Sequence, residues 1–231
     1  MALSQTNAVY GKIEHDNYII QSNTKNISFI RLFSKLKANG VVNNKFFLRL
    51  YDPDLLHVDP HSKNLTDKEK DKILYEIRRN PYYYLREVVR IPIPGGSQRF
   101  ELHRGNLALT WAIFNNLDLI VLLPRQRYKT VSIVSALSWI YNFATSNTHM
   151  IFGNKSLGDA KNNLTRFKDI VKYLPNFIKT ALTDDKDTNN IEFIRSENTN
   201  NKIQILGQPI SEVDADKAGR GCSIPIFWSD E

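Results

Sequence analysis

Apolar residues follow a helical spacing in the segment that begins at Thr66. Thr66 and Glu69 have the residue types and the spacing of a capping box, and the apolar positions after them predict a helix that ends near residue 80. Pro81 suits the first position of a second helix, which we expect to continue to about Val89. The Pro- and Gly-containing run at residues 91–96 then ends this helix.

Helical and strand patterns alternate in the rest of the chain. Residues 119–123 form a continuous apolar run, which predicts a buried strand. Helices are predicted over residues 103–116, 129–145 and 157–174, and further strands at 149–152, near 191–195, at 202–206 and at 224–228. This alternation predicts an α/β fold with a parallel sheet and helices on both of its faces. Trp111, Trp139 and Trp228 are expected in the core.

Residues 1–65 lack this regular alternation. They are rich in Asn and contain proline breakers at positions 53 and 60. We therefore expect a small N-terminal appendage of strands and loops over residues 1–65, followed by the main domain over residues 66–231.

The amino-acid composition shows that the chain is basic. It contains 31 Lys and Arg against 24 Asp and Glu, which gives a net charge of +7. Such a surplus favours polyanionic partners, although a solvated basic surface explains it equally well. Cys222 is the single cysteine, so an internal disulfide is excluded. No apolar run approaches the roughly 20 residues of a membrane span, and we expect a cytoplasmic protein without membrane contact.

The candidate chemistry begins where the strand predicted at 119–123 leads into the helix predicted at 129–145. The run Arg-Gln-Arg-Tyr-Lys-Thr at residues 125–130 ends like a phosphate-binding loop. In such a loop Lys129 would contact the β- and γ-phosphates of ATP, and Thr130 would ligate Mg²⁺. Tyr128 stands where the pattern has Gly, a position that demands a backbone conformation glycine accepts more easily. On this pattern alone, a chance Lys-Thr pair in a basic loop is the better explanation.

A second candidate element is the apolar strand that leads to Asp230 and Glu231. In a P-loop ATPase the Asp of such a strand holds Mg²⁺, and the Glu orients or deprotonates the attacking water. When the pair is taken alone, an exposed acidic terminus is the better explanation. Its position about a hundred residues after the candidate phosphate loop, with a strand and a helix between, favours the ATPase interpretation.

Taken together, these motifs resemble the large terminase subunits of tailed bacteriophages. Arg125, Gln126, Lys129 and Thr130 look like the deviant phosphate loop of that family, and residues 151–175 look like the segment that follows it. Arg220-Gly221 is similar to an Arg-Gly element upstream of the family's acidic strand, and residues 80–91 resemble a family N-terminal segment. The resemblance covers residues 66–231, and its specificity lies in the order and spacing of the motifs.

The resemblance implies a P-loop NTPase-like domain with ATP and Mg²⁺ as cofactors. It implies that Mg²⁺ is held by Thr130 and Asp230. The residues implied in catalysis are Glu231, Arg125 and Arg220. Those implied in nucleotide binding are Arg125, Gln126, Arg127, Tyr128, Lys129, Thr130 and Gln98, the last as a candidate for contacting adenine.

By the same resemblance, the parent protein hydrolyses ATP to drive double-stranded DNA into a procapsid, in the cytoplasm of an infected bacterium. Its partners would be the portal protein, the small terminase subunit and further copies of itself in a homo-oligomeric ring. Relative to the family, the chain stops at Glu231. We therefore expect the family's nuclease domain to be absent from it, and the chain alone to hydrolyse ATP weakly or not at all.

Two other functions remain open at this stage. A helicase-like nucleic-acid translocase shares the same motifs. A non-catalytic nucleic-acid-binding or assembly module would explain both the basic charge and the missing glycines. Nucleotide binding with and without Lys129 separates the last of these from the two motors.

Overall fold

The helices of this protein follow the apolar spacing seen in the sequence. The computed structural model describes residues 18–124, 128–182, 188–207 and 224–230. Two of the helices continue as short π-helical segments. Turns of 3-10 helix occupy Lys45–Phe47 and Pro53–His57. The helices are α1 (Ile27–Ala38), α2 (Asp67–Arg79), α3 (Pro81–Tyr83, continued by Tyr84–Val88), α4 (Arg104–Phe114), α5 (Lys129–Trp139, continued by Ile140–Ala144), α6 (Leu157–Lys172) and α7 (Asn176–Leu182).

The strands form one larger sheet and two short antiparallel pairs. The antiparallel pairs are β1 (Ile19–Ile20) with β2 (Arg49–Leu50), and β3 (Arg90–Ile93) with β4 (Gly96–Arg99). The larger sheet has five strands, which are β5 (His149–Asn154), β6 (Thr188–Asn189), β7 (Phe193–Arg195), β8 (Lys202–Gly207) and β9 (Ile226–Asp230). Their order across the sheet is β6-β7-β8-β5-β9.

The predicted α/β class is confirmed, but the prediction of a wholly parallel sheet is wrong. Strand β5 pairs in parallel with both β8 and β9, whereas β7 runs antiparallel to both β6 and β8. Residues 196–201 join β7 to β8, and so short a connection suits antiparallel neighbours, since parallel strands need a crossover of a dozen or more residues. Helix α6 supplies part of the crossover after β5, and it packs on β5 and β8.

The buried strand predicted at residues 119–123 does not form. Ile120 is 94% exposed and Leu122 is 91% exposed, and no regular structure is assigned to this segment. A cavity of about 640 Å³ lies between the segment and β9. A strand is stabilised by ladder hydrogen bonds to a neighbour, and the described part of the chain places no strand beside residues 119–123.

Helix α5 is buried on every side. All residues from Ser132 to Trp139 are buried, and the helix packs against both α4 and α6. The Trp139 indole N–H donates to the carbonyl oxygen of Ile77 in α2 at 2.7 Å.

The three tryptophans differ in burial. The predicted burial of Trp139 and Trp228 is confirmed, but Trp111 is 39% exposed. It lines a cleft between α1 and α4, so its predicted place in the core is wrong.

The segment before residue 66 is more helical than expected. Helix α1 occupies residues for which strands and loops are predicted. Phe29 of α1 is fully buried and its ring lies 6.4 Å from that of Phe100.

The predicted capping box at the start of α2 is present. The Thr66 N–H donates to Glu69 at 2.8 Å, and the Glu69 N–H donates to the Thr66 hydroxyl.

The Trp139 hydrogen bond ties α5 to α2, and we expect its loss to be costly. Trp139→Phe removes the 2.7 Å hydrogen bond to the Ile77 carbonyl, which keeps the Asn80 N–H as a donor at 3.4 Å, and it opens a small cavity. The free energy of unfolding should therefore fall by about 2 kcal/mol. Trp111→Phe is the matched control and should cost less than about 0.5 kcal/mol. Urea denaturation of both variants measures the difference, and equal losses would contradict this account of the α5 packing.

Candidate functional site

Lys129 and Thr130, in the first turn of α5, meet the carboxylate of Asp230 at the end of β9. The Lys129 Nζ lies 2.9 Å from one oxygen of Asp230. The Thr130 hydroxyl donates to the other oxygen at 2.7 Å, across 100 positions of sequence. The side chain of Asp230 is 11% exposed and that of Lys129 is 24% exposed. Both oxygens of a mostly buried carboxylate are therefore satisfied by the two residues that the sequence singles out.

The sheet fixes where Asp230 lies. In the parallel pairing of β5 with β9, Asp230 is the register partner of Asn154, so both strands end level at the carboxyl edge of the sheet. This edge is where open α/β sheets bind their ligands. The rings of Phe152 and Trp228 pack edge to face at 5.1 Å. A Cβ atom at Gly153 would lie 3.2 Å from the ring of Phe227, so a larger residue here requires that exposed ring to shift by a few tenths of an ångström.

Tyr128 begins α5 in a left-handed backbone conformation. Its φ is 56° and its ψ is 20°, a region that costs a residue with a large side chain roughly 1–2 kcal/mol relative to glycine. The carbonyl oxygen of Tyr128 accepts two hydrogen bonds from Ser132, from the N–H at 2.9 Å and from the hydroxyl at 2.7 Å. The Tyr128 ring lies 5.7 Å from the ring of His103. These contacts hold the residue before Lys129 in place.

Of the remaining predicted site residues, Gln98 alone is described, and it does not join this group. Gln98 lies on β4 and lines a separate cleft beside α1 and α4, whereas Lys129 and Asp230 line the cavity next to β9. Its predicted contact with adenine therefore stays a prediction. Five predicted residues lie outside the described part of the chain: Arg125, Gln126, Arg127, Arg220 and Glu231.

Sequence reasoning missed two residues that support the loop. Ser132 holds the Tyr128 carbonyl, and a hydroxyl residue four positions after the start of a helix is a signal that could have suggested this bond. His103 contacts the Tyr128 ring from the N-terminus of α4. No local pattern connects residues so far apart in sequence.

The arrangement suits a ligand that carries both phosphate and a divalent cation. A phosphate can replace the Asp230 carboxylate as the ion-pair partner of Lys129. Mg²⁺ can replace the hydroxyl proton of Thr130, so that the Thr130 oxygen and the Asp230 carboxylate both face the metal ion. A hydroxyl and a carboxylate are oxygen donors of the kind that Mg²⁺ accepts when phosphate and water complete its coordination. The two residues therefore fit Mg²⁺ by the chemistry of their donor atoms. No cluster of three His, Cys, Asp or Glu occurs in the described residues, so the described side chains alone do not form a metal cage.

Comparison with known proteins does not identify the chain. No protein-family model matches it, and a search of curated proteins found no match.

Within the described residues, no helix is both long enough and apolar enough to cross a membrane.

The conformation of Tyr128 gives a test of the loop. Because the φ of Tyr128 is already positive in the fold, we expect Tyr128→Gly to relieve strain in the free and the bound protein alike. We expect the free energy of unfolding to rise by about 0.5–1 kcal/mol, and the affinity for an ATP analogue to change less than about twofold. Asn116→Gly is the control, since Asn116 has the same φ of 56° but Asn tolerates it.

Urea denaturation and calorimetric titration of both variants provide the two measurements. A roughly tenfold tighter nucleotide complex of Tyr128→Gly, about 1.4 kcal/mol, would contradict the prediction. It would mean that the loop is strained only when the ligand is bound.

Proposed function

We propose that this chain is a P-loop ATPase domain, the motor domain of a large terminase subunit of the tailed-phage type. The observation that carries the proposal is the meeting of Lys129, Thr130 and Asp230. A lysine and a hydroxyl residue at a helix N-terminus, facing a carboxylate at the end of a neighbouring strand, are the parts that a P-loop NTPase uses to hold a phosphate and its metal ion.

In the proposed reaction, each residue has a role set by its position. Lys129 leaves Asp230 and binds the β- and γ-phosphates, with the N-terminus of α5 adding the attraction of its free N–H groups. Thr130 and Asp230 would hold Mg²⁺, which neutralises charge on the phosphates when bound. Glu231 follows Asp230 directly in sequence and is the proposed group that orients the attacking water. Arg125 and Arg220 are proposed to stabilise charge in the transition state.

The terminase type is supported by the order of the motifs and by the positive charge of the chain. DNA packaging would supply the polyanionic partner that the net charge of +7 favours. The same proposal includes two protein partners, the portal protein and the small terminase subunit. It also includes assembly into a ring of identical subunits, in the cytoplasm of a bacterial host. A helicase-like translocase fits the same three residues, and it differs in separating the strands of a duplex during ATP hydrolysis.

The decisive variant is Lys129→Ala. Charge-assisted hydrogen bonds contribute about 1.5–3 kcal/mol, so the affinity for a non-hydrolysable ATP analogue with Mg²⁺ should fall ten- to hundredfold. Lys63→Ala is the control, because Lys63 is exposed and forms no ion pair with the described residues. Calorimetric titration gives the affinities, and circular dichroism shows whether each variant is folded. Unchanged binding by a folded Lys129→Ala protein would remove the basis of the proposal.

A second variant tests the metal site separately. Wild-type binding of the ATP analogue should strengthen when Mg²⁺ is added. Asp230→Asn should lose most of this dependence while still binding the metal-free analogue, because Lys129 is then free to contact the phosphates. An undiminished Mg²⁺ effect in Asp230→Asn would place the metal ion elsewhere.

The helicase-like alternative has its own readout. A duplex with a fluorophore and a quencher on opposite strands reports strand separation by the parent protein in the presence of ATP, since we expect the chain alone to hydrolyse ATP weakly or not at all. A terminase-type motor leaves the duplex intact, whereas a helicase-like translocase separates it.

A further inference from the structure

A second and larger cleft lies between α1 and α4, apart from the Lys129 site. Its volume is about 1370 Å³, which exceeds the roughly 300–1,000 Å³ of typical small-molecule pockets. Neither Lys129 nor Asp230 lines it; both line the smaller cavity beside β9. We call it the α1–α4 cleft.

The charged side chains that line the α1–α4 cleft are predominantly basic. Glu101 is the one acidic residue among the described residues of its lining. Lys25 and Arg99 both pair with Asp59. The other basic residues of the lining are His103, near Glu101, and Arg31, Lys35 and Arg104, which form no ion pair with another described residue.

Two helix N-termini add to this positive potential. The N–H of Leu102, just before α4, donates to the Ser28 hydroxyl in the first turn of α1 at 3.0 Å, so the two helices begin side by side. Neither first turn contains an acidic residue, and neither N-cap side chain makes a capping hydrogen bond. Arg104 occupies the first position of α4, where a positive charge opposes the helix dipole. Folding alone does not favour this arrangement, but an anionic ligand would stabilise it.

We propose that the α1–α4 cleft binds the phosphodiester backbone of double-stranded DNA. Arg31 and Lys35 lie four residues apart on α1, and therefore on one face of the helix. Arg104 faces the cleft from α4, so phosphates meet cations from both helices. The preference for a polyanion rests on the cleft itself. The choice of double-stranded DNA rests on the proposed function, for which DNA is the transported substrate.

The experiment compares two lysines of α1. Lys35 lines the cleft and Lys37 does not, yet both are exposed and both lie in the last turn of the helix. Reversing either charge therefore changes the net charge and the helix dipole interaction in the same way. Binding of a short fluorescent duplex is measured by anisotropy without nucleotide at several salt concentrations, with circular dichroism as the check on folding.

We expect Lys35→Glu to weaken duplex binding at least tenfold at low salt, and to lower the slope of log affinity against log salt by about one. Lys37→Glu should stay within about twofold of wild type. Arg31→Ala and Arg104→Ala should each weaken binding by the loss of one phosphate contact. Equal effects of Lys35→Glu and Lys37→Glu would overturn the proposal, since they would indicate a diffuse charge effect.

Two further arms identify the ligand and separate this proposal from the ATPase proposal. Tighter binding of a single-stranded oligonucleotide or of polyglutamate than of the duplex would overturn the assignment to double-stranded DNA. Lys129→Ala should bind the duplex like wild type, and Lys35→Glu should bind the ATP analogue like wild type. Failure of the ATPase proposal thus appears as unchanged nucleotide binding in Lys129→Ala, whereas failure of the cleft proposal appears in the comparison of Lys35 with Lys37.

Discussion

The burial of α5 from Ser132 to Trp139 is the constraint on which the rest of the structure depends. A helix that is buried on every side must be enclosed by other elements, and here α4 and α6 pack against it. The Trp139 hydrogen bond to Ile77 fixes its far end. Its N-terminal turn then emerges at the edge of the core, where Lys129 and Thr130 meet Asp230. The position of the candidate site follows from the packing of a single helix.

Much of the helical structure could be predicted because its signals are local. The capping box at Thr66 and the apolar spacing of α6 lie within single segments of sequence. Helix α1 was missed, since its N-cap Asn26 makes no capping bond and instead donates to the carbonyls of Arg86 and Phe100, 60 and 74 positions away. Strand pairing has the same difficulty. The apolar run at 119–123 reads as a buried strand, but whether it forms depends on a neighbour that the sequence pattern does not reveal.

The candidate site was predictable in its residues but not in its geometry. Lys129, Thr130 and Asp230 came from the order of motifs, and the structure brings these three together. The direct pairing of lysine with aspartate follows from burial, because a mostly buried carboxylate needs partners. The α1–α4 cleft had no sequence signal at all, because its cations come from segments about 70 residues apart that only tertiary packing brings together.

The pairing of Asp230 with both Lys129 and Thr130 also bears on selectivity. A free anion that takes Lys129 leaves a carboxylate with 11% exposure facing a negative charge, and this repulsion offsets the gain. A free cation that takes Asp230 leaves the ammonium group of Lys129 next to another positive charge. A ligand that delivers an anion and a cation together satisfies every group at once. Under the proposed function, this arrangement would discriminate against orthophosphate and against bare metal ions, and it would favour a complex of the two.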